Sequence, residues 1–289
     1  MVAAILELLR IRQWVKNVFV LAPLFFGDEV FNVVAVTRAT SAFVVFCLLS
    51  SAAYIFNDWR DMNADRRHTK KAWRPLASGR VSVPAALLAL ATLIVMAGAI
   101  IYLVHLPGTF AVVTAVYLAI NLAYSLGIKH VSIVELFFVA SGFVIRLIGG
   151  AYAIQIWVSP WIIIATAMLA LLLATGKRRG DIAQDNDQMS QRKSLSSYNL
   201  GFLDSVLTAL TGGTIVVYLL FCVSDYAVER FSAGVLTTSV PVAIGLLRYL
   251  QLIMVQGYGE APTDLVLGDR GMLAILVVFG AMFAYFIYF

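Results

Sequence analysis

Nine stretches of this 289-residue chain are apolar for the length of a membrane-spanning helix, and that limits the possible folds before any motif is considered. They run roughly over 17–34, 39–57, 82–104, 108–126, 132–153, 158–176, 203–223, 233–251 and 270–288. In hydrocarbon every backbone N–H and C=O must find a partner within the protein, which leaves helices or closed barrels. The short alternating segments of a barrel are absent. With 61% apolar and 13% charged residues and a mean hydropathy of +0.90, the chain reads as an all-α integral membrane protein. The expected fold is a bundle of nine transmembrane helices forming one domain over 1–289, with long polar loops at 58–81 and 177–202. Pro23 and Gly27 interrupt the first run, which is tolerable where neighbouring helices satisfy the freed groups. Met1 to Arg12 lacks a basic leader and a small-residue cleavage site, so it reads as an interfacial amphipathic helix. Cys47 and Cys222 fall inside apolar runs, and no His/Cys spacing suggests zinc.

The net charge of +5 is distributed unevenly. One set of gaps, made of the N-terminus, 58–81, 127–131, 177–202 and 252–269, carries 18 of the 21 Lys and Arg when edge residues go to the nearer side. The other set carries Arg38 and Arg230, and Arg146 sits inside a span. Positive loops stay cytoplasmic, so the N-terminus is expected inside and the C-terminus outside an inner (plasma) membrane. Topology accounts for the basic charge, and nothing resembles a nucleic-acid module.

Basic loops are ordinary in such proteins; their mixture with carboxylates is not. If the second helix continues past its apolar run, Asn57, Asp61 and Asp65 recur at i, i+4 and i+8, with Asp58 three residues before Asp61. All four then share one face. Carboxylates so placed repel one another unless a cation lies among them, and hard oxygen ligands suit Mg²⁺, which completes its shell with substrate phosphates. A solvated acidic helix end would show the same spacing. The position at the mouth of a membrane-length run favours a metal–phosphate site, because ionisable groups there are costly and usually functional. The 177–202 loop repeats the pattern, with Asp181 and Asp185 at i, i+4 beside Lys177, Arg178 and Arg179. Metal with surrounding Lys and Arg is what a pyrophosphate requires.

Glu135 and Arg146 lie in the fifth run, about three turns apart and so too distant to pair directly. Arg146 is read as an anion-binding group in a polar cavity, and Glu135 as either structural or functional. Lys16 at the mouth of the first run is an interfacial anchor or a cation for the same cavity, and Tyr124 and Lys129 close the fourth run on that face. Gly149-Gly150 and Gly212-Gly213 read as sites of close helix packing. A phosphate-binding glycine loop, a nucleophile elbow and a dinucleotide fingerprint are all missing.

Asn57-Asp58-x-x-Asp61-x-x-x-Asp65 followed by Arg74-Pro75-Leu76-Ala77-Ser78-Gly79 resembles the first signature of the UbiA-type prenyltransferase superfamily. Tyr124-Ser125 with Lys129, and the place of the second acidic loop, fit the same pattern. Further matches at Arg12-Gln13-Trp14-Val15-Lys16-Asn17, Gly142-Phe143 with Arg146, Gly176-Lys177-Arg178, Arg248-Tyr249 and Glu260-x-Pro262…Asp269 resemble its decaprenyl-phosphate phosphoribosyltransferase branch. The second motif departs from the superfamily's usual acidic pair, being led by Lys177-Arg178-Arg179, which leaves the roles of Asp181 and Asp185 open.

The resemblance implies a nine-helix membrane enzyme with cytosolic cap loops that transfers 5-phosphoribosyl from phosphoribosyl pyrophosphate to a polyprenyl phosphate, supplying lipid-linked arabinose for the cell envelope. It implies Mg²⁺ on Asn57, Asp58, Asp61 and Asp65, the three aspartates being catalytic through the metal. The donor would be held by Lys16, Arg67, Arg74, Tyr124 and Lys129. Arg146, Lys177 and Arg178 would take the lipid phosphate or the ribose 5-phosphate. Membrane lipid is a further partner, and a homo-oligomer is left open. Two other readings use the same residues. An aromatic prenyltransferase would need fewer cations than Lys16, Arg146, Lys177 and Arg178 supply. A transporter for a phosphorylated solute would need a polar path to both faces.

Overall fold

The computed structural model describes residues 2–69, 71–184, 194–256, 265–266 and 268–289, and all the secondary structure among them is helical. Helix α1 (Val2–Leu9) leads into a 3₁₀ helix, Ile11–Leu21, and a short α2, Ala22–Phe26. There follow α3 (Val33–Asp65), α4 (Val83–Leu103), α5 (Gly108–Leu126), α6 (Val134–Ile154) and α7 (Pro160–Gln184). The remainder comprises α8 (Leu200–Cys222), α9 (Asp225–Phe231), α10 (Ser239–Met254) and α11 (Arg270–Tyr288). Among the described residues eight helical segments are long and apolar enough to cross a membrane, which makes this a multi-pass membrane protein.

The first expected span, 17–34, is not a continuous helix. It is the 3₁₀ helix, the five residues of α2 and a turn before α3 begins at Val33. The physical reason lies in a three-residue repeat. A 3₁₀ helix stacks side chains at i and i+3 on one face, here Trp14, Asn17 and Val20. Asn17 and Val20 are wholly buried, and Trp14 Nε1 donates to Ser51 Oγ of α3 at 3.0 Å. An α-helical period would instead spread these three over about 120° of the helix surface.

Backbone contacts divide the chain into two compact units, Met1–Lys129 with Gly142–Val158, and His130–Ser141 with Ser159–Phe289. The first is organised on α3, whose middle is buried almost all round: Val45, Phe46, Leu49, Ala52 and Ile55 are 0–3% exposed. Phe46 meets Phe110 and Tyr117 of α5 edge-on at 6.0 and 5.2 Å between ring centroids, a geometry that adds to the burial of each ring. Gly149 faces Phe46, where an added Cβ would fall 2.6 Å from the ring, and Gly150 abuts the carbonyl of Val20. These two glycines let α6 close on α3 and on the 3₁₀ helix, as their pairing in the sequence suggests. The second unit packs Leu172 of α7, Leu207 of α8, Tyr249 and Leu252 of α10 and Met272 of α11 into one cluster.

The helix starts follow their caps. Asn32 accepts from the N–H groups of Val34 and Ala35, Ser82 from Ala85, Asn199 from Phe202 and Asp269 from Met272, each satisfying a donor that the first turn leaves open. At 33 residues α3 is about 50 Å long, against about 30 Å of hydrocarbon. Its last turns therefore project beyond the apolar layer, and those turns carry Asn57 to Asp65.

Candidate functional site

The first unit gathers carboxylates and cations at the projecting end of α3. Asp58 and Asp65 are buried at 2% and 5% exposure, while Asn57 and Asp61 are half-buried. The segment that returns from α3 to α4 brings Arg74 across them, and one nitrogen, Nη1, donates to Asp58 Oδ1 at 3.0 Å and to Asp65 Oδ2 at 2.7 Å. Lys129, buried just after α5, donates to Asp61 Oδ1. Ser125 Oγ donates to Asn57 Oδ1 at 3.2 Å. Arg74 thus ties Asp58 to Asp65, while Lys129 and Ser125 meet Asp61 and Asn57 on the same stretch of α3.

One member was not foreseen. Arg10 Nη2 donates to Asp58 Oδ1 at 2.5 Å, and its guanidinium lies 4.8 Å from the centre of the Tyr54 ring. Arg10 takes a left-handed backbone conformation (φ 51°) at the junction of α1 and the 3₁₀ helix. That junction points the side chain at a carboxylate 48 residues away, a distance at which local pattern carries no signal. Of the other expected donor-binding residues, Lys16 and Tyr124 are half-buried and Arg67 is exposed.

About three turns below Asp58 on α3 a second polar group is assembled around Arg146 of α6. Its Nε donates to Asn17 Oδ1 at 2.6 Å, Nη1 to the Gly142 carbonyl at 2.8 Å and Nη2 to Tyr117 Oη at 2.8 Å. Asn17 in turn donates through Nδ2 to Ser50 Oγ and Cys47 Sγ, both at 3.2 Å. The guanidinium is 7% exposed and lies over the rings of Tyr117 and Phe143. All three partners are neutral, so a positive charge stands in the interior of the unit. Asn17 and Tyr117 were not anticipated in this role.

In the second unit Glu135 is wholly buried and takes Arg178 in a two-point pair, Nε to Oε1 at 2.5 Å and Nη2 to Oε2 at 2.6 Å. Arg178 Nη1 donates to Asp181 Oδ2 at 2.7 Å. Arg179 donates to Asp204 Oδ1 at 2.5 Å and to the Ile253 carbonyl at 2.8 Å. Lys177 is exposed at the polar end of α7. Asp185 lies outside the described residues, as do Glu260 and Pro262.

The end of α3 is chemically suited to a hard divalent ion: its donors are all oxygens, and three are carboxylates on one helix face. Among the described residues no three His, Cys, Asp or Glu side chains converge as a closed metal cage. An ion bound here would take one or two carboxylates and leave the rest of its shell to substrate oxygens. The neighbouring Arg10, Arg74 and Lys129 suit the phosphoryl oxygens of such a substrate.

A multi-pass helical protein with a carboxylate stripe and three cations where its longest helix leaves the apolar layer has the features of a membrane transferase that handles phosphorylated substrates. The chain belongs to the UbiA prenyltransferase family, whose pattern matches residues 19–262. It is 35% identical over 289 residues to the decaprenyl-phosphate phosphoribosyltransferase of Corynebacterium glutamicum, spanning 98% of this chain and 86% of that protein. The protein of the same name in Mycolicibacterium smegmatis is 36% identical over 282 residues, spanning 93% and 88%. Among solved structures, a UbiA homolog from Archaeoglobus fulgidus bound to GPP and Mg²⁺ matches 99% of this chain and 100% of its own with a TM-score of 0.76. At 18% identity that likeness concerns the fold. The family reading of the sequence is thereby borne out.

Proposed function

We propose that this protein transfers 5-phosphoribosyl from phosphoribosyl pyrophosphate to a polyprenyl phosphate of the decaprenyl type, releasing pyrophosphate, with Mg²⁺ as cofactor. The observation that carries this reading is the 35% identity, over nearly the whole chain, with relatives named for that reaction. The resulting lipid-linked phosphoribose would serve cell-envelope synthesis. We take 1–289 as one functional domain, with the N-terminus and the site on the cytosolic face and the C-terminus outside; the broken segment 11–26 would make the ninth crossing this requires, a reading supported by Arg10 beside Asp58 at one end of α3 and Leu24 packed with Ala35 and Ala39 at the other. The concentration of Lys and Arg in the 58–81 and 177–202 loops supports that orientation.

Asn57, Asp58, Asp61 and Asp65 would hold the metal. When bound, the ion supplies neutralisation for the charge that builds on the departing pyrophosphate. Arg74 and Lys129, already at the cluster, would hold pyrophosphate oxygens, with Lys16, Arg67 and Tyr124 completing the donor's surroundings. The bond from ribose C1 to pyrophosphate oxygen breaks as a lipid phosphate oxygen bonds to C1 from the opposite face. The acceptor phosphate is ionised at neutral pH, so these residues bind and orient, and none need act as a general base. Arg146 is assigned to a phosphate monoester because its buried charge meets only neutral partners. Lys177 is assigned to the same class of group. The commitment of Arg178 to Glu135 and Asp181 favours a positioning part over the direct phosphate contact expected of it. Asp181 is held toward the polar end of α7 by that arrangement, and Asp185 is kept as a candidate ligand from the sequence.

Replacing Asp61 with Asn tests the metal assignment. At saturating Mg²⁺ the variant is expected to lose about 100-fold or more of its turnover, the scale of removing a group that stabilises developing charge. Near-normal turnover would remove the α3 carboxylates from the account.

A further inference from the structure

Each aspartate at the end of α3 already has a cation in contact with it. Asp58, Asp61 and Asp65 are matched by Arg10, Arg74 and Lys129, each in direct contact. The same Asp58 oxygen accepts from both Arg10, at 2.5 Å, and Arg74, at 3.0 Å. A divalent ion taking this oxygen alone would have to displace a guanidinium from it and then lie beside that guanidinium. Pyrophosphate arriving alone would reach the cations only by standing among carboxylates. Like charges a few ångströms apart in a half-buried site, where water screens them poorly, repel strongly in either case.

We infer that Arg10 is a place-holder: it neutralises Asp58 in the ligand-free protein and passes to a pyrophosphate oxygen when metal and pyrophosphate enter together. This rests on the proposed function and adds to it a donor-binding residue and a rule of binding. Two observations single out Arg10 among the three cations. Its side chain is 24% exposed against 7% for Lys129, so it has room to move. It also lies on the Tyr54 ring, a surface along which a guanidinium can slide while keeping cation–π attraction. Arg74 is similarly exposed, at 26%, but spans two carboxylates and holds Asp65 whichever way Asp58 turns. The exchange breaks one ion pair, Arg10 with Asp58, and makes two, Asp58 with the metal and Arg10 with pyrophosphate, so each ligand removes the obstacle to the other. Metal and pyrophosphate binding are therefore coupled through Arg10.

The test uses the full-length protein in detergent, titrated calorimetrically with Mg²⁺ alone, with inorganic pyrophosphate in EDTA, and with pyrophosphate at fixed free Mg²⁺. In the wild type each ligand should bind at least about tenfold more tightly when the other is present, within the range usual for coupled sites. Arg10→Gln should bind Mg²⁺ alone several-fold more tightly, bind pyrophosphate with Mg²⁺ about tenfold more weakly, and lose most of the coupling. Arg10→Lys should keep most of it. Wild-type affinities that are independent of one another overturn the inference, even if Arg10→Gln fails to fold. So does an Arg10→Gln protein whose affinities all stay within twofold of wild type. Phosphoribosyl transfer by the same wild-type preparation separates the two levels. Transfer without coupling refutes the exchange and leaves the function; coupling without transfer leaves the exchange and refutes the function.

Discussion

Arg178 lies along the carboxylate of Glu135 with two nitrogens on two oxygens, and the side chains are 4% and 0% exposed. The pair joins the start of α6 to the polar end of α7 within the second unit, across 43 residues of sequence. Removing one partner strands a buried charge, at a cost of about 3–5 kcal/mol, while replacing both by apolar groups of similar volume costs much less. Glu135→Ala should therefore melt well below wild type in detergent, and Glu135→Leu with Arg178→Met should recover most of the loss. A single variant that melts with the wild type would show that the pair is not a structural tie.

The surroundings of Arg146 allow structure to be separated from charge. Asn17→Ala removes the acceptor of Arg146 Nε and the donor to Ser50 and Cys47; it should cost about 1–3 kcal/mol of stability, the price of leaving a buried polar group unsatisfied. Asn17→Asp keeps the acceptor and adds the charge that the guanidinium lacks. It should hold the melting point nearer to wild type while raising the KM for polyprenyl phosphate about tenfold, because the positive charge is already spent. An unchanged KM would take Arg146 out of phosphate binding.

These tests bear on residues that the sequence reveals to different degrees. The expected spans 82–104, 108–126 and 270–288 coincide with α4, α5 and α11 to within a residue, because turn residues or charges close each apolar run. The runs at 39–57 and 158–176 ended too early, since hydropathy registers the edge of the apolar layer while hydrogen bonding carries α3 on to Asp65 and α7 to Gln184. The four-residue repeat of Asn57, Asp61 and Asp65 exposed the carboxylate face because it is a property of one helix. Arg10 with Asp58, Asn17 with Arg146 and Glu135 with Arg178 were invisible in the pattern. They are 48, 129 and 43 residues apart and depend on how the chain returns. The 3₁₀ helix was missed for a related reason, its period of three being set by what Trp14 and Asn17 meet on α3.

The cap of α11 gives a pH dependence. Asp269 accepts from Arg248 Nη2 at 2.8 Å and from the Met272 N–H at 2.8 Å, and the guanidinium, then the N–H, hold its carboxyl below the usual range. Since the folded value lies below the unfolded one, the stabilisation is complete above about pH 4 and is lost as pH falls through the folded value. Asp269→Asn keeps a capping oxygen but no charge, so its melting point should fall below wild type at pH 7 and converge on it at low pH. A gap that stays constant with pH would mean that the charge contributes nothing.

The measurement that bears most directly on the whole account uses purified protein with Mg²⁺, phosphoribosyl pyrophosphate labelled in the ribose, and a polyprenyl phosphate, following label into the organic phase. The account predicts label in the lipid, dependent on the metal and abolished by Asp61→Asn. Absence of label there, with transfer from a prenyl pyrophosphate to a phenolic acceptor under the same conditions, would contradict it and assign the α3 site to prenyl transfer.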